Sequence, residues 1–246
     1  MLLKDKVALV TGSRRGIGKV IALKLAEEGA DLIINDIEVN DNDDVIQEIR
    51  ALGRKALAVS ADITNKNDVI EMVEKALKEF SKIDILVNNA GIYPAHPFLE
   101  ISEAEWDKVI DVNLKGTFLV TQVVASMAMT KANYGKIVNI ASVDGKVPTL
   151  GITHYAAAKA GVISLTKSFA IELCQYNINS NAVAPGWVES ETVLKGDRWK
   201  EAIKRIPSGR LGKLEEIAHA IVFLVRDESS YINGEILDVN GAIYMD

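Results

Sequence analysis

Apolar runs of strand length recur along the chain and alternate with longer stretches whose apolar residues repeat at helical spacing. Val7–Val10, Asp31–Asn35, Lys55–Ala61, Ile83–Val87, Lys136–Ala141, Ile178–Ala184 and Glu235–Val239 read as strands. Several of them are nearly continuous Val, Ile, Leu and Ala, the pattern of a strand covered on both faces. Between them, Val20, Ile21, Leu23 and Leu25 mark a helix that stops at Gly29, and Asp41–Leu52 is amphipathic. Lys66–Phe80 presents Val69, Met72, Val73, Ala76 and Phe80 on one face. Ser102 with Glu105 three residues on has the capping-box pattern of a helix start. The helical stretch then continues through Leu114–Met129. A helix through Tyr155, Val162, Leu165, Phe169 and Leu173 follows, and Leu214–Val225 is the last. Seven strands alternating with helices predict an α/β chain on a parallel sheet.

One segment departs from this rhythm. Residues 189–210 carry charges, Gly196, Pro207 and Gly209 with little periodicity, and are expected to form a lid over a substrate. No linker, repeat or charge block divides the 246 residues, and 48% hydrophobic content suffices for a large core, so 1–246 reads as one domain. A formal charge of -6 argues against nucleic acid as a partner. Three His and one Cys, all scattered, predict no metal site, and Cys174 reads as a small buried helix residue. No uncharged apolar run reaches membrane-spanning length, so a soluble cytoplasmic protein is expected.

The chemistry gathers where strands end. Gly12, Gly16 and Gly18 follow the first strand and open a helix, a place where bare backbone N–H groups and the helix dipole favour a pyrophosphate. Asp36 ends the second strand, where a carboxylate accepts from ribose hydroxyls and repels a 2′-phosphate, which points to NAD. Arg14 and Arg15 lie inside the glycine loop, and either could pair with that phosphate, which keeps NADP possible. Asp62-Ile63 ends the third strand, where Asp62 could contact adenine or cap the next helix. Asn88-Asn89-Ala90-Gly91 ends the fourth, with small residues that let backbone pass close to a flat ligand.

Ser142 ends the fifth strand, and Tyr155 and Lys159 share a helix face at i, i+4. A hydroxyl, a phenol and an ammonium together suit proton transfer to an alcohol oxygen, because a nearby cation lowers a phenol pKa toward the working pH. Asn113, a poor residue for a helix interior, is either a tolerated polar residue or the mark of a local break with a freed carbonyl.

Over its whole length the chain resembles the short-chain dehydrogenase/reductase family. The likeness rests on Thr11–Gly18, Asn88–Gly91, Ser142 thirteen residues before Tyr155, Tyr155-Ala-Ala-Ala-Lys159, and Pro185-Gly186. It implies a Rossmann-like doubly wound parallel sheet of about seven strands, usually in a homotetramer, and a catalytic tetrad of Asn113, Ser142, Tyr155 and Lys159. Tyr155 would be the acid/base and Ser142 the binder of the substrate oxygen. Lys159 would lower the phenol pKa and grip the nicotinamide ribose, and Asn113 would hold a water linking Lys159 to solvent. The cofactor set would comprise Gly12, Arg14, Arg15, Gly16, Ile17, Gly18, Asp36, Asp62, Ile63, Asn89, Ala90, Gly91, Pro185, Gly186 and Val188 beside Tyr155 and Lys159.

Ser208–Gly212 and the ending Val239–Asp246 look most like 3-oxoacyl-acyl-carrier-protein reductases. Those generally use NADPH, whereas Asp36 favours NAD, and the Glu189, Glu191, Asp197 neighbourhood offers an acidic carrier protein no basic patch. The expected activity is therefore an NAD-linked interconversion of a small-molecule secondary alcohol and ketone. The acyl-carrier reductase stands second and an inactive dinucleotide-binding regulator last. Tyr93, His96, Val143, His154 and Trp187 are the candidate substrate contacts, and their apolar and aromatic character suggests a hydrophobic alcohol.

Overall fold

Alternate residues of the first strand feed two different cores, and this sets the architecture. In the computed structural model, which describes residues 1–245, Ala8 and Val10 of β1 (Val7–Thr11) pack into one apolar cluster and Val7 and Leu9 into another. A strand whose successive side chains point to opposite faces does this only when both faces are covered. Asp246, the last residue of the C-terminal motif, lies outside the described residues.

The remaining strands are β2 (Asp31–Asp36), β3 (Ala56–Ser60), β4 (Ile85–Asn88), β5 (Gly135–Ile140), β6 (Ile178–Pro185) and β7 (Ile236–Val239). They form one seven-stranded sheet in the order β3-β2-β1-β4-β5-β6-β7, with every neighbouring pair parallel. This is the Rossmann-like doubly wound α/β fold expected from the motifs. The strand order reverses between β1 and β4, so the ends of those strands open a crevice in which such sheets bind ligands.

One face is covered by α1 (Gly16–Glu27), α2 (Asp44–Ala51) and, at the far end of the chain, α10 (Leu214–Val225). The other carries α3 (Lys66–Phe80), α4 (Glu103–Ile110), α5 (Gly116–Val124), the short α6 (Thr130–Ala132) and α7 (Thr153–Leu173). Ile21 and Leu25 of α1 meet Ile217 and Ile221 of α10 in the first core, while Val69 and Met72 of α3 meet Val120 and Val124 of α5 in the second.

Three features depart from the expected pattern. Residues 189–210 hold two short helices, α8 (Glu191–Leu194) and α9 (Arg198–Ile203), the first capped by the Ser190 hydroxyl. Between α4 and α5 the backbone widens over Asp111–Lys115, where the Gly116 N–H donates to the Asp111 carbonyl five residues back. Cys174 is exposed rather than buried, because α7 ends at Leu173 and the chain turns outward through Cys174–Tyr176. Among the described residues no helix is long and apolar enough to cross a membrane, and no group of His, Cys, Asp and Glu could hold a metal ion.

Candidate functional site

The glycine loop after β1 has the shape it has because side chains would not fit. Gly12 and Gly16 take positive φ, +60° and +59°, conformations that cost a residue with a Cβ atom. A Cβ on Gly18 would stand 2.2 Å from the Gly12 carbonyl oxygen, so the loop closes on the helix only with glycine there. Asn89 locks this loop to the end of β4: its Nδ2 donates to the carbonyls of Thr11 and Gly12, each at 2.9 Å. The Thr11 hydroxyl accepts from Asn89 N at 3.0 Å and Ala90 N at 3.1 Å. Helix α1 begins at this seam with no capping side chain on Arg15 and no acid in its first turn. Its free N–H groups and positive dipole end therefore face a cradle shaped for an anion, which is what a dinucleotide pyrophosphate requires.

A cavity of about 400 Å³ runs from this cradle along the strand ends. Gly12, Arg15, Gly16, Ile17, Gly18, Asp36, Asp62, Ile63, Asn89, Ala90, Gly91, Asn113, Tyr155 and Lys159 all line it. Asp36 is steadied by two backbone donors, Ile37 N on Oδ1 at 2.9 Å and Arg14 N on Oδ2 at 3.3 Å. Arg14 differs from expectation. Its guanidinium turns away from the cavity to Asp43, with Nε to Oδ1 at 2.8 Å, and that hydrogen bond and charge raise the arginine's pKa; the Asn40 backbone N–H first and then Arg14 hold the Asp43 carboxyl below its usual range. Only Arg15 of the two loop cations lines the cavity. Asp62 does not cap α3. Its Oδ1 accepts from Thr64 N and Oγ1, and Asn65 caps the helix through Asn67 N instead.

The other end of the cavity holds Tyr155 and Lys159. Lys159 is buried and donates from Nζ to the Ile140 carbonyl at 2.6 Å, at the end of β5. Burial pushes the ammonium down to about 8. Nζ lies 5.6 Å from the centre of the Tyr155 ring. The phenol itself is pushed up, first by burial and next by the Asp144 carboxylate, with Tyr93 adding in the same sense and the Ser142 hydrogen bond opposing. Loss of hydration is the largest influence on the phenol within the chain alone.

Asn113 sits in the widened turn, fully buried. Its Nδ2 donates to the carbonyls of Ile92 and Val109 at 2.8 and 2.9 Å, so the side chain pins the loop after β4. Its Oδ1 is buried without a hydrogen-bond partner and points at Gly91, where a Cβ would stand 2.6 Å from it. The main-chain carbonyl accepts from the Thr117 hydroxyl at 3.0 Å. The local break expected at Asn113 is present as this widened turn, with its carbonyl taken by the Thr117 hydroxyl.

A second cavity, about 240 Å³, adjoins the first. Tyr155, Ile17, Tyr93, Ile140, Ser190 and Thr192 line both, so the phenol stands on their shared wall. Ser142, Val143 and Trp187 line the second cavity, as do Pro185, Gly186 and Val188, which the motifs had assigned to the cofactor side. His96 and His154 line neither; both turn to Glu105 Oε1, at 2.8 and 2.9 Å. They are corrections to the substrate set, and they explain why the capping box at Ser102 is half made. The Ser102 hydroxyl accepts from Glu105 N, but the Glu105 carboxylate is spent on the two imidazoles.

Sequence reasoning missed Asp144, Thr149, Ile152 and Arg198, which also line the second cavity. Asp144 holds Ser142 Oγ at 3.1 Å through Oδ2 and Thr149 Oγ1 at 2.5 Å through Oδ1. The available signal was the Ser-x-Asp spacing, which favours a local side-chain turn.

Comparison with known proteins agrees with this geometry. Residues 12–242 match the family model described as enoyl-(acyl carrier protein) reductase. The chain is 44% identical over 245 residues, 99% of each sequence, to the 3-oxoacyl-(acyl-carrier-protein) reductase FabG of Thermotoga maritima. It is 42% identical over 98% of its length, and 97% of the relative's, to the (2S)-((R)-hydroxy(phenyl)methyl)succinyl-CoA dehydrogenase subunit BbsD of Thauera aromatica. The crystal structure of levodione reductase superposes with a TM-score of 0.92 at 33% identity, covering 97% of both chains. The chain belongs to the short-chain dehydrogenase/reductase family and is an oxidoreductase that acts on CH–OH groups with a nicotinamide dinucleotide.

Proposed function

We propose that the enzyme interconverts a hydrophobic secondary alcohol and its ketone with NAD(H), using Tyr155 as the acid/base. The observation that carries this reading is the position of Tyr155 on the wall common to the two cavities, with Ser142 lining the second of them and Lys159 one helical turn away. Gly12, Gly16, Ile17 and Gly18 would cradle the pyrophosphate, Asp36 the adenosine ribose, Asp62 and Ile63 the adenine side, and Ala90 and Gly91 the strand-end passage. The nicotinamide supplies or accepts the hydride. In the oxidative direction the Ser142 hydroxyl holds the substrate oxygen, and the Tyr155 phenolate takes the hydroxyl proton as hydride leaves carbon. Lys159, fixed by the Ile140 carbonyl, would stabilise that phenolate and hold the nicotinamide ribose, and Asn113 would serve the path by which Lys159 exchanges protons with solvent.

Asp36 supports NAD over NADP, since it stands on the cavity wall while Arg14 is committed to Asp43. The apolar lining by Tyr93, Val143, Ile152 and Trp187 supports a hydrophobic substrate. The relative in Thermotoga maritima supports a second reading, reduction of 3-oxoacyl thioesters on a carrier protein. A dinucleotide titration followed by a rate screen over secondary alcohols, free acyl thioesters and carrier-bound thioesters separates the two. NAD-linked alcohol turnover is expected, and NADPH-linked turnover confined to carrier-bound thioesters would replace the first reading with the second. Assembly as a homotetramer is supported by the exposed Trp106, Phe118 and Ile171 on α4, α5 and α7, and sedimentation of the purified chain checks it.

A further inference from the structure

The helix that carries Tyr155 begins without a cap. Its N-cap residue is Ile152, whose side chain accepts nothing, although the first N–H groups of a helix have no partner inside it. His154 meets this need from within the first turn. Its Nδ1 accepts the Tyr155 N–H at 3.0 Å, and its Nε2 meets Glu105 Oε1 at 2.9 Å. A backbone N–H only donates, so Nδ1 is the bare nitrogen and Nε2 carries the hydrogen. The imidazole is 0% exposed.

Glu105 also accepts from His96 Nδ1 at 2.8 Å, and the His96 N–H donates to the Gly151 carbonyl at 2.9 Å. One carboxylate of α4 therefore ties together the loop after β4, the turn before α7 and the first turn of α7. The Tyr93 ring on that same loop lies 5.8 Å from the Tyr155 ring.

We propose that His154 is a positioning residue for Tyr155: as a neutral Nε2–H imidazole anchored by Glu105, it fixes the first turn of α7 and with it the phenol's place on the shared cavity wall. The proposal rests on Tyr155 being the acid/base. His154 does not act on the substrate, since it lines neither cavity.

Three variants assayed with dinucleotide and a turned-over alcohol test this. His154→Asn keeps an acceptor at the Nδ1 place but loses the reach to Glu105. His154→Phe keeps bulk and neither bond, and Glu105→Leu removes the anchor. A displacement of about 1 Å at a reacting group costs about 10²-fold. On that scale, kcat in His154→Phe and Glu105→Leu falls by about 10- to 100-fold while dinucleotide Kd stays within about twofold, and His154→Asn, which like Glu105→Leu keeps the acceptor and loses the anchor, falls as Glu105→Leu does. In the holoenzyme, ¹⁵N spectra of His154 show the Nε2–H tautomer.

Wild-type kcat in His154→Phe overturns the proposal, as does a proton on Nδ1. So does a loss of kcat matched by equal losses of dinucleotide affinity and melting temperature. If His154→Phe does not fold, Glu105→Leu and the tautomer decide by the same outcomes. Tyr155→Phe in the same assay keeps the two readings apart: near wild-type turnover there refutes the acid/base role itself, whereas an inactive Tyr155→Phe beside an undiminished His154→Phe refutes only the positioning.

Discussion

Lys159 is held where its charge is expensive. The folded protein releases its proton near 8, whereas an unfolded chain holds it to the ordinary 10.5. Below the folded value both states are charged and the cost of burying the ammonium is present in full. Between the two values the unfolded state binds more protons, so stability rises with pH through that window. Lys159→Met, without dinucleotide, is therefore expected to be more stable than the parent near pH 7, by up to about 3 kcal/mol, with the gap closing toward about pH 10. Urea melts at both pH values check it, and a gap independent of pH would contradict it. At Asp36, removing the carboxylate leaves Arg15 as the charged side chain nearest the glycine loop on the cavity wall. Asp36→Ala is expected to narrow the NAD over NADP preference in kcat/KM by about tenfold, equivalent to about 1.4 kcal/mol. Unchanged relative kcat/KM would count against it. Asp36 was legible in the sequence because it follows a strand at a fixed distance from the glycines. The commitment of Arg14 to Asp43 was not, because that partner arrives from the turn before α2.

At the scale of elements, the site depends on how closely the turn after β5 packs on α7. A Cβ on Gly145 would stand 2.7 Å from the Lys159 carbonyl carbon and 2.8 Å from Ala160 N, both backbone atoms with no freedom to yield. Gly145→Ala is expected to push α7 away from Ser142, lowering stability by about 1–3 kcal/mol and lowering kcat with it. A melting temperature and kcat equal to the parent would show that the helix is not held there. Helices and strands with strong period were readable from the chain: α3 and α10 fall at the bounds their apolar faces predicted. The widened turn at Asp111–Lys115 was readable only as an oddity, since Asn113 signals a break without saying which carbonyl is freed. The two helices within 189–210 are four and six residues long, too short for periodicity to register. The bond between Glu105 and His154 joins residues 49 apart, and nothing local to either announces it.

For the molecule as a whole, the decisive arrangement is that seven strand ends share one edge of one sheet and that the order reverses between β1 and β4. That single edge gathers the glycine cradle, Asp36, the Asn88–Gly91 turn, Ser142 and Pro185-Gly186, from residues far apart in the chain. The central claim is that proton transfer at this edge passes through one phenol. The most direct measurement is turnover of a secondary alcohol by Tyr155→Phe, with dinucleotide binding measured on the same preparation. General acid–base catalysis contributes about 10²–10⁴-fold, so turnover is expected to fall by that factor with dinucleotide Kd unchanged. Turnover near the parent rate, with the variant folded and dinucleotide bound, would contradict it.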